Sequence, residues 1–112
     1  SKLIHTISQT AFSIDNGGAI PSNVIIAANT ISNDIYITKC KEHKLPIHPA
    51  RMAPAIPEFF INFLTRPGDI VLDCFAGSNT TGATAEKLGR EWISIELDRD
   101  YYEGSKYRLG RK

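Results

Sequence analysis

Apolar side chains recur at helical spacing near the middle of the chain. They stand at positions i, i+3, i+4, i+7 and i+8 of one segment and therefore share one helical face: Ile56, Phe59, Phe60, Phe63 and Leu64. Pro57 suits the first turn of such a helix, where its missing N–H leaves no bond unmade. We predict an amphipathic helix that covers an apolar surface and buries its phenylalanines in the core.

Short apolar runs alternate with helical stretches in the remainder of the chain. The continuous apolar run at 70–72 is typical of a strand buried in a parallel sheet. A helix is predicted from about 79 to 88, with Gly89 placed to form a left-handed C-terminal cap. The next strand is predicted at 92–96, and a last helix begins at about Arg99.

The order helix, strand, helix, strand, helix over residues 46–112 indicates an α/β fold. A strand, a crossover helix and a second strand of these lengths form a right-handed βαβ unit. We therefore expect a mostly parallel sheet with helices on both of its faces.

Residues 1–45 carry a weaker pattern. The run at 23–29 is typical of a buried strand, and the segment after it suits a short helix that opens at Asn33 or Asp34. Neither part of the chain has enough apolar residues to fold comfortably alone, so we treat residues 1–112 as a single domain.

Composition supports one soluble domain, since 42% of the 112 residues are apolar and 22% are charged. No apolar run approaches the roughly 20 residues of a membrane span, and the first residues lack a signal peptide's apolar core, so a cytoplasmic protein is expected. Cys40 and Cys74 lack metal-ligand spacing and are expected to be reduced thiols, without a disulfide or a zinc site. The net charge of +1 and the short basic run at 39–51 favour a solvated face over a strong phosphate-binding surface.

The loop at 73–79 lies beyond the carboxyl end of a predicted strand, which is where ligands bind in doubly wound sheets. It lacks the glycine pattern of a dinucleotide site, and no lysine follows Gly82, so pyrophosphate is disfavoured. Gly77 permits close approach of a ligand to the backbone. The polar residues that follow offer hydroxyl, amide and N–H groups suited to a carboxylate: Ser78, Asn79, Thr80 and Thr81.

Glu96 adds a second group to this candidate site. It stands about 20 residues after Gly77 at the end of the next strand, a spacing at which an acidic residue accepts hydrogen bonds from ribose hydroxyls. A nucleoside that bears a carboxylate would satisfy both groups. The alternative is a plain connection in which Ser78 and Asn79 cap the helix while Asp73 and Glu96 are solvated.

Two stretches of sequence resemble a known family. The loop "DCFAGSNTTG" followed by "WISIE" is similar to the S-adenosylmethionine-binding motifs of amino-methylating DNA methyltransferases, whose loop usually reads DPFxGSGTT. The segment "HPARMAPAIPEFFINFLTRPGDIVLD" resembles the one before this loop in the subgroup whose cofactor motifs lie near the C-terminus. Within it, "GSNTTG", "HPAR" and "GGxIPxN" are most like cytosine-N4 methyltransferases of restriction-modification systems. The resemblance covers 17–110 and is most specific over 48–96.

The resemblance implies a partial Rossmann-like methyltransferase sheet that binds S-adenosylmethionine, and it assigns roles by position. Four residues would line the methionine part of the cofactor: Asp73, Phe75, Ala76 and Gly77. Thr80 and Thr81 would lie near its carboxylate. Glu96 would take the ribose hydroxyls and Leu97 would lie beside the adenine. Two further residues would approach the methionine from the other side: His48 and Pro49.

The catalytic motif of this family is missing from the sequence. In the family, a Ser or Asp, two adjacent prolines and an aromatic residue hold the exocyclic amine of a flipped base facing the sulfonium methyl. The six prolines of this chain are never adjacent, so no catalytic residue is assigned. The resemblance therefore implies the C-terminal portion of a methyltransferase, inactive alone, with double-stranded DNA as the substrate of the complete enzyme.

Three functions remain open at this point. The chain is an enzyme fragment completed by a complementary methyltransferase half, a non-catalytic S-adenosylmethionine- or DNA-binding remnant that acts by association, or an unrelated nucleotide-binding βαβ protein. An incomplete sheet exposes a strand edge, so self-association is also expected, whereas a metal ion and a membrane are not.

Overall fold

The structure is a computed structural model that describes residues 23–27 and 34–110. The described elements comprise two strands, four α-helices and a 3-10 turn, in the order α1 Ile35–Glu42, α2 Ala55–Leu64, β1 Ile70–Asp73, α3 Thr80–Lys87, β2 Glu91–Ser94, α4 Arg99–Ser105 and the 3-10 turn Lys106–Leu109.

The two strands form a parallel pair, as the sequence predicts. Ile70 lies opposite Glu91 at one end of the ladder and Asp73 lies opposite Ser94 at the other. Helix α3 is the crossover that connects them. From α2 onward the observed order of elements is the predicted one, and the α/β class is confirmed.

Side-chain caps fix where α1 and α3 begin. Of the two residues proposed to open the first helix, Asp34 is the cap, since its carboxylate accepts the Tyr36 N–H at 2.8 Å. Asn79 caps α3 by accepting the Gly82 N–H at 3.2 Å. Gly89 has φ +76°, which is the left-handed conformation expected after the end of α3.

The core consists of two small clusters. In one, Ile61 of α2 and Ala85 and Leu88 at α3 pack together, with Val71 and Trp92 of the strands against them. The other joins Tyr36, Ile37 and Cys40 of α1, with Leu45 and Ile47 packed on it. The first cluster places α2 and α3 on the sheet face that carries Val71 and Trp92.

None of the described helices covers the opposite face of the sheet, which we call the bare face. Four apolar strand and strand-end residues point away from the described helices and are more than half exposed: Ile70, Leu72, Ile93 and Ile95. The expectation that the run 70–72 is buried on both faces was therefore wrong for Ile70 and Leu72. In the part of the chain that the structure describes, helices cover one face of the sheet, not two.

Helix α2 has the predicted position but not the predicted orientation. Its buried residues are Pro57, Ile61 and Asn62, whereas Phe60 and Phe63 are about half exposed. The expectation that the phenylalanines are core residues was wrong for these two. The helix turns the face that carries Ile61 toward α3, and its aromatic side chains form ring contacts with one another, Phe59 with both Phe60 and Phe63.

The N-terminal expectations are only partly within the described residues. Residues 23–27 form no strand, and Val24 and Ile26 are exposed, so the buried strand predicted at 23–29 was wrong over that range; 28–29 lie outside the described residues. Within the described ranges, no helix is long and apolar enough to cross a membrane. The same ranges hold no cluster of three potential metal ligands, and Cys40 and Cys74 are free.

Candidate functional site

The loop after β1 folds back against the end of β2. The Phe75 N–H donates to the Asp73 carboxylate at 2.9 Å, which turns the chain as the strand ends. The Ala76 N–H donates to the Ile95 carbonyl at 3.0 Å, and the Asn79 N–H donates to the Ala76 carbonyl at 2.7 Å. These bonds close residues 74–79 into a compact turn at the carboxyl edge of the sheet, where the sequence places the candidate site.

Glu96 and Gly77, predicted from their spacing to share a site, are in direct contact. One oxygen of the Glu96 carboxylate accepts the Gly77 N–H at 2.7 Å, and the other accepts the Asp98 N–H at 2.9 Å. The carboxylate thus joins the loop after β1 to the segment after β2. Since an ionised carboxylate offers about four acceptor positions, both oxygens can accept further donors.

A side chain at position 77 would be strained, for two reasons. Its φ of +53° is left-handed, and a Cβ at this position would lie 3.2 Å from two atoms of the His48 ring. His48 is held over the loop because its backbone N–H donates to the Tyr36 hydroxyl at 3.0 Å and its ring contacts that of Tyr101. The neighbouring Pro49 is exposed. The structure thus brings His48 to the loop, as expected.

The hydroxyl and amide residues of the loop are turned inward. Ser78, Asn79 and Thr80 are buried, and the hydroxyls of Ser78 and Thr80 lie 3.3 Å apart. Thr81 is half-buried. These side chains therefore shape the start of α3, and in this conformation they satisfy one another and the backbone.

Two large apolar side chains stand in solvent beside the loop. Phe75 is 93% exposed and Leu97 is 99% exposed, each just beyond the end of a strand. Burial of such side chains by a ligand is favourable by about 1.5–3 kcal/mol each when complete. A cavity of about 410 Å³ adjoins the loop and is lined in part by Ala76, Asn79 and Glu96.

Arg108 is a residue of this site that the sequence analysis missed. Its guanidinium donates to the Ser78 carbonyl at 3.1 Å and forms an ion pair with Asp34. It also lies over the Tyr36 ring, 4.5 Å from the ring centre. Arg108 thereby ties the 3-10 turn and the start of α1 to the loop. No local pattern marks this contact, because 74 residues separate Arg108 from Asp34.

Burial changes the pKa values of two groups that lie near Arg108, a tyrosine hydroxyl and a thiol. Tyr36 and Cys40 are fully buried, and burial raises the pKa of the Tyr36 hydroxyl and that of the Cys40 thiol above their ordinary values. Both groups are therefore neutral at pH 7. The Tyr36 hydroxyl remains available to accept the His48 N–H, which keeps the histidine over Gly77.

Comparison with known proteins gives one family. The family described as DNA methylase matches residues 24–107. The type II methyltransferase M.PvuII of Proteus hauseri is 47% identical over 105 residues, covering 94% of this chain and 31% of that protein. The type II methyltransferase M2.LlaDCHI of Lactococcus lactis subsp. cremoris is 37% identical over 75 residues, covering 67% of this chain and 28% of that protein. The chain thus spans about a third of the length of these curated relatives.

Solved structures agree with this match. The cytosine-N4-specific PvuII DNA methyltransferase superposes with a TM-score of 0.75 at 46% identity, over 80% of this chain and 32% of that one. The M1.HpyAVI–SAM complex superposes with a TM-score of 0.53 at 44% identity, over 55% of this chain and 32% of that one. These similarities confirm the expected partial Rossmann-like methyltransferase sheet.

Proposed function

Because the chain belongs to the DNA methylase family, we propose that it is the S-adenosylmethionine-binding part of a DNA methyltransferase that modifies an exocyclic amino group, with cytosine N4 as the target. The observation that carries the proposal is the contact between the Glu96 carboxylate and the Gly77 N–H, at the carboxyl ends of two parallel strands. Such a site would act within a restriction-modification system, in the cytoplasm where the DNA lies.

The chemistry of the ligand fits the residues present. S-adenosylmethionine is a nucleoside with an amino-acid carboxylate and no phosphate, and the loop has neither a phosphate-binding glycine pattern nor a lysine after Gly82. When bound, the cofactor supplies a sulfonium methyl group for transfer to an amino nitrogen. The residues proposed to form its site are those given by the sequence: His48, Pro49, Asp73, Phe75, Ala76, Gly77, Ser78, Asn79, Thr80, Thr81, Glu96 and Leu97.

In this proposal, residues of the loop and of the segment after β2 have distinct roles. Glu96 accepts the ribose hydroxyls through the acceptor positions that its two backbone donors leave open. Phe75 and Leu97, which now stand in solvent, cover the methionine and adenine parts of the ligand. Asp73 uses one oxygen for the Phe75 N–H and opposes the ligand's positive charges with its carboxylate.

Methyl transfer also requires a pocket for the flipped base, and the sequence has no adjacent prolines to form the family's catalytic motif. We propose that the remaining strands and the acceptor pocket come from another chain or a longer product and cover the bare face of the sheet. The exposure of Ile70, Leu72 and Ile93 on that face supports this proposal. Double-stranded DNA would bind the completed enzyme.

Calorimetric titration with S-adenosylmethionine and S-adenosylhomocysteine tests the cofactor site. The chain should bind both with one-to-one stoichiometry, and Glu96→Ala should weaken binding at least about tenfold because a charged hydrogen-bond acceptor is lost. Glu91→Ala is the matched control, since Glu91 is an exposed glutamate of the strand that leads to Glu96. Absence of binding, or equal affinities for the two variants, would contradict the proposed site.

The non-catalytic remnant is the second candidate function, favoured by the lack of the proline motif in the sequence. Transfer of labelled methyl groups to duplex DNA separates the two candidates. The chain alone should be inactive under either one. Activity restored by adding the portion of M.PvuII that this chain does not match would support the enzyme fragment, and cofactor binding without any restored activity would support the remnant.

A further inference from the structure

Asn79 stands at the junction between the candidate loop and α3 in a conformation that few side chains adopt. Its φ of 61° and ψ of 37° are left-handed, and the residue is 3% exposed. Asparagine is tolerated there better than most residues because its short amide can hydrogen-bond to nearby backbone.

Asn79 joins three parts of the site through its side-chain oxygen and its backbone N–H. Its Oδ1 accepts the Gly82 N–H in the first turn of α3 at 3.2 Å and the Ser94 hydroxyl at the end of β2 at 2.6 Å. Its backbone N–H donates to Ala76 within the loop. Displacement of the Asn79 amide would therefore disturb the loop, the helix start and the strand end together.

Gly82 leaves the space that the Asn79 amide occupies. A Cβ on Gly82 would overlap Asn79 Oδ1 and lie 2.9 Å from both Cγ and Nδ2, and these are the three atoms nearest to it. Gly82 is helical and has no left-handed φ, so backbone conformation does not demand glycine there. Glycine is needed at position 82 because the Asn79 amide occupies the space of a side chain there. A side chain at 82 could be accommodated only by moving the amide, which would break both of its hydrogen bonds.

We propose that Asn79 and Gly82 form a matched pair, oriented by Ser94, that sets the backbone conformation of residues 76–79 on which cofactor affinity depends. These are positioning residues, and the inference rests on the proposed function of the loop. Gly77 lies two residues before Asn79, so the pair acts on the peptide whose N–H meets Glu96. Glycine at both 79 and 82 would also be compatible, whereas Asn79 with alanine at 82 would not.

A double-mutant cycle on the full chain tests the pair. The Kd for S-adenosylhomocysteine is measured by calorimetry for the wild type, Gly82→Ala, Asn79→Gly and the double variant, with the thermal midpoint of each. Gly82→Ala should weaken binding about tenfold, the equivalent of the two lost hydrogen bonds. In the Asn79→Gly background the same alanine should change Kd by less than about twofold. Lys87→Ala, an exposed change in the same helix, should leave Kd unchanged.

Partial rescue by the second substitution distinguishes positioning from general damage. Equal effects of the alanine in both backgrounds, or wild-type affinity in Gly82→Ala, would overturn the pair. If Gly82→Ala does not fold, a cooperative melt regained in the double variant would support the pair, and no regain would overturn it. No binding by the wild type would instead refute the proposed function. The pair would then be tested by the four thermal midpoints alone: non-additive effects of the two substitutions would support it, and additive effects would overturn it.

Discussion

Besides Gly82, two other glycines in the described part of the chain are closely packed by their neighbours. Gly77 was predicted to permit close approach of a ligand to the backbone, and the group that the structure places against it is the His48 ring. Gly104 lies within α4, where glycine is a poor helix former. It is buried, and a Cβ there would lie 3.0 Å from the Cys40 sulfur, so glycine allows α4 to pack on α1. The cost in helix propensity is offset by a close contact that the local sequence does not reveal.

The raised pKa values of Tyr36 and Cys40 predict that the protein loses stability at alkaline pH. Burial raises the pKa of each group in the folded protein above its ordinary value, which is 10.0 for the Tyr36 hydroxyl and 9.0 for the Cys40 thiol. The stability that each neutral group contributes is therefore complete below its ordinary pKa and is lost as the pH rises through its folded pKa. The free energy of unfolding should be level near pH 7–8 and fall above about pH 9, by up to about 1.4 kcal/mol per pH unit for each group. Urea denaturation across this range measures it.

Cysteine variants separate the contributions. Cys40→Ala should flatten the decline above about pH 9, whereas Cys74→Ala should not, because Cys74 is exposed. Equal slopes for the wild type and Cys40→Ala would contradict the assignment to the buried thiol.

Site residues close to recognisable strand ends could be predicted, and those brought in by packing could not. Gly77 and Glu96 were paired correctly because the length of a βαβ unit fixes their spacing. Tyr36 and Arg108 were missed, and Asp34 was proposed only as a residue that could open the first helix, because the contacts among the three arise from the packing of α1 on the 3-10 turn, which no periodicity encodes.

At the scale of elements, boundaries were more predictable than orientations. Helix α3 begins and ends where Asn79 and Gly89 indicate, since caps are local chemistry. The apolar period of α2 identified a helix but not the face turned to α3. Periodicity shows which side chains share a face, and the neighbour that a face meets depends on the rest of the fold.

The 3-10 turn Lys106–Leu109 offers a test of one element's contribution. Arg108→Ala should lower the free energy of unfolding by about 3 kcal/mol, because it leaves the largely buried Asp34 carboxylate unpaired. Lys106→Ala is the matched control, since Lys106 forms only an exposed pair with Glu103 and stacks on an exposed tyrosine. Chemical denaturation compares the two, and a loss in Arg108→Ala no larger than that in the control would refute the structural role of this turn.

At the scale of the whole molecule, the bare sheet face predicts self-association when nothing else covers it. Size-exclusion chromatography with light scattering should show a mass that rises with concentration. Leu72→Lys should shift the equilibrium toward monomer, because it places a charge on the exposed face beside the strand edge. Lys87→Glu, on the exposed side of α3, should leave it unchanged. A monomer at every concentration would contradict this expectation.

Hydrogen bonds from Glu96 at one end and from Asn79 and Arg108 at the other hold the candidate loop, and the His48 ring lies close to Gly77. The bare face, which the proposed further strands would cover, is a different surface. On the proposed function, the methyl donor would therefore be taken up before any acceptor pocket is in place. Assembly of the complete enzyme would then determine when methyl transfer occurs, whereas cofactor binding would not depend on assembly. The resting state would be this chain with its cofactor bound and no methyl transfer.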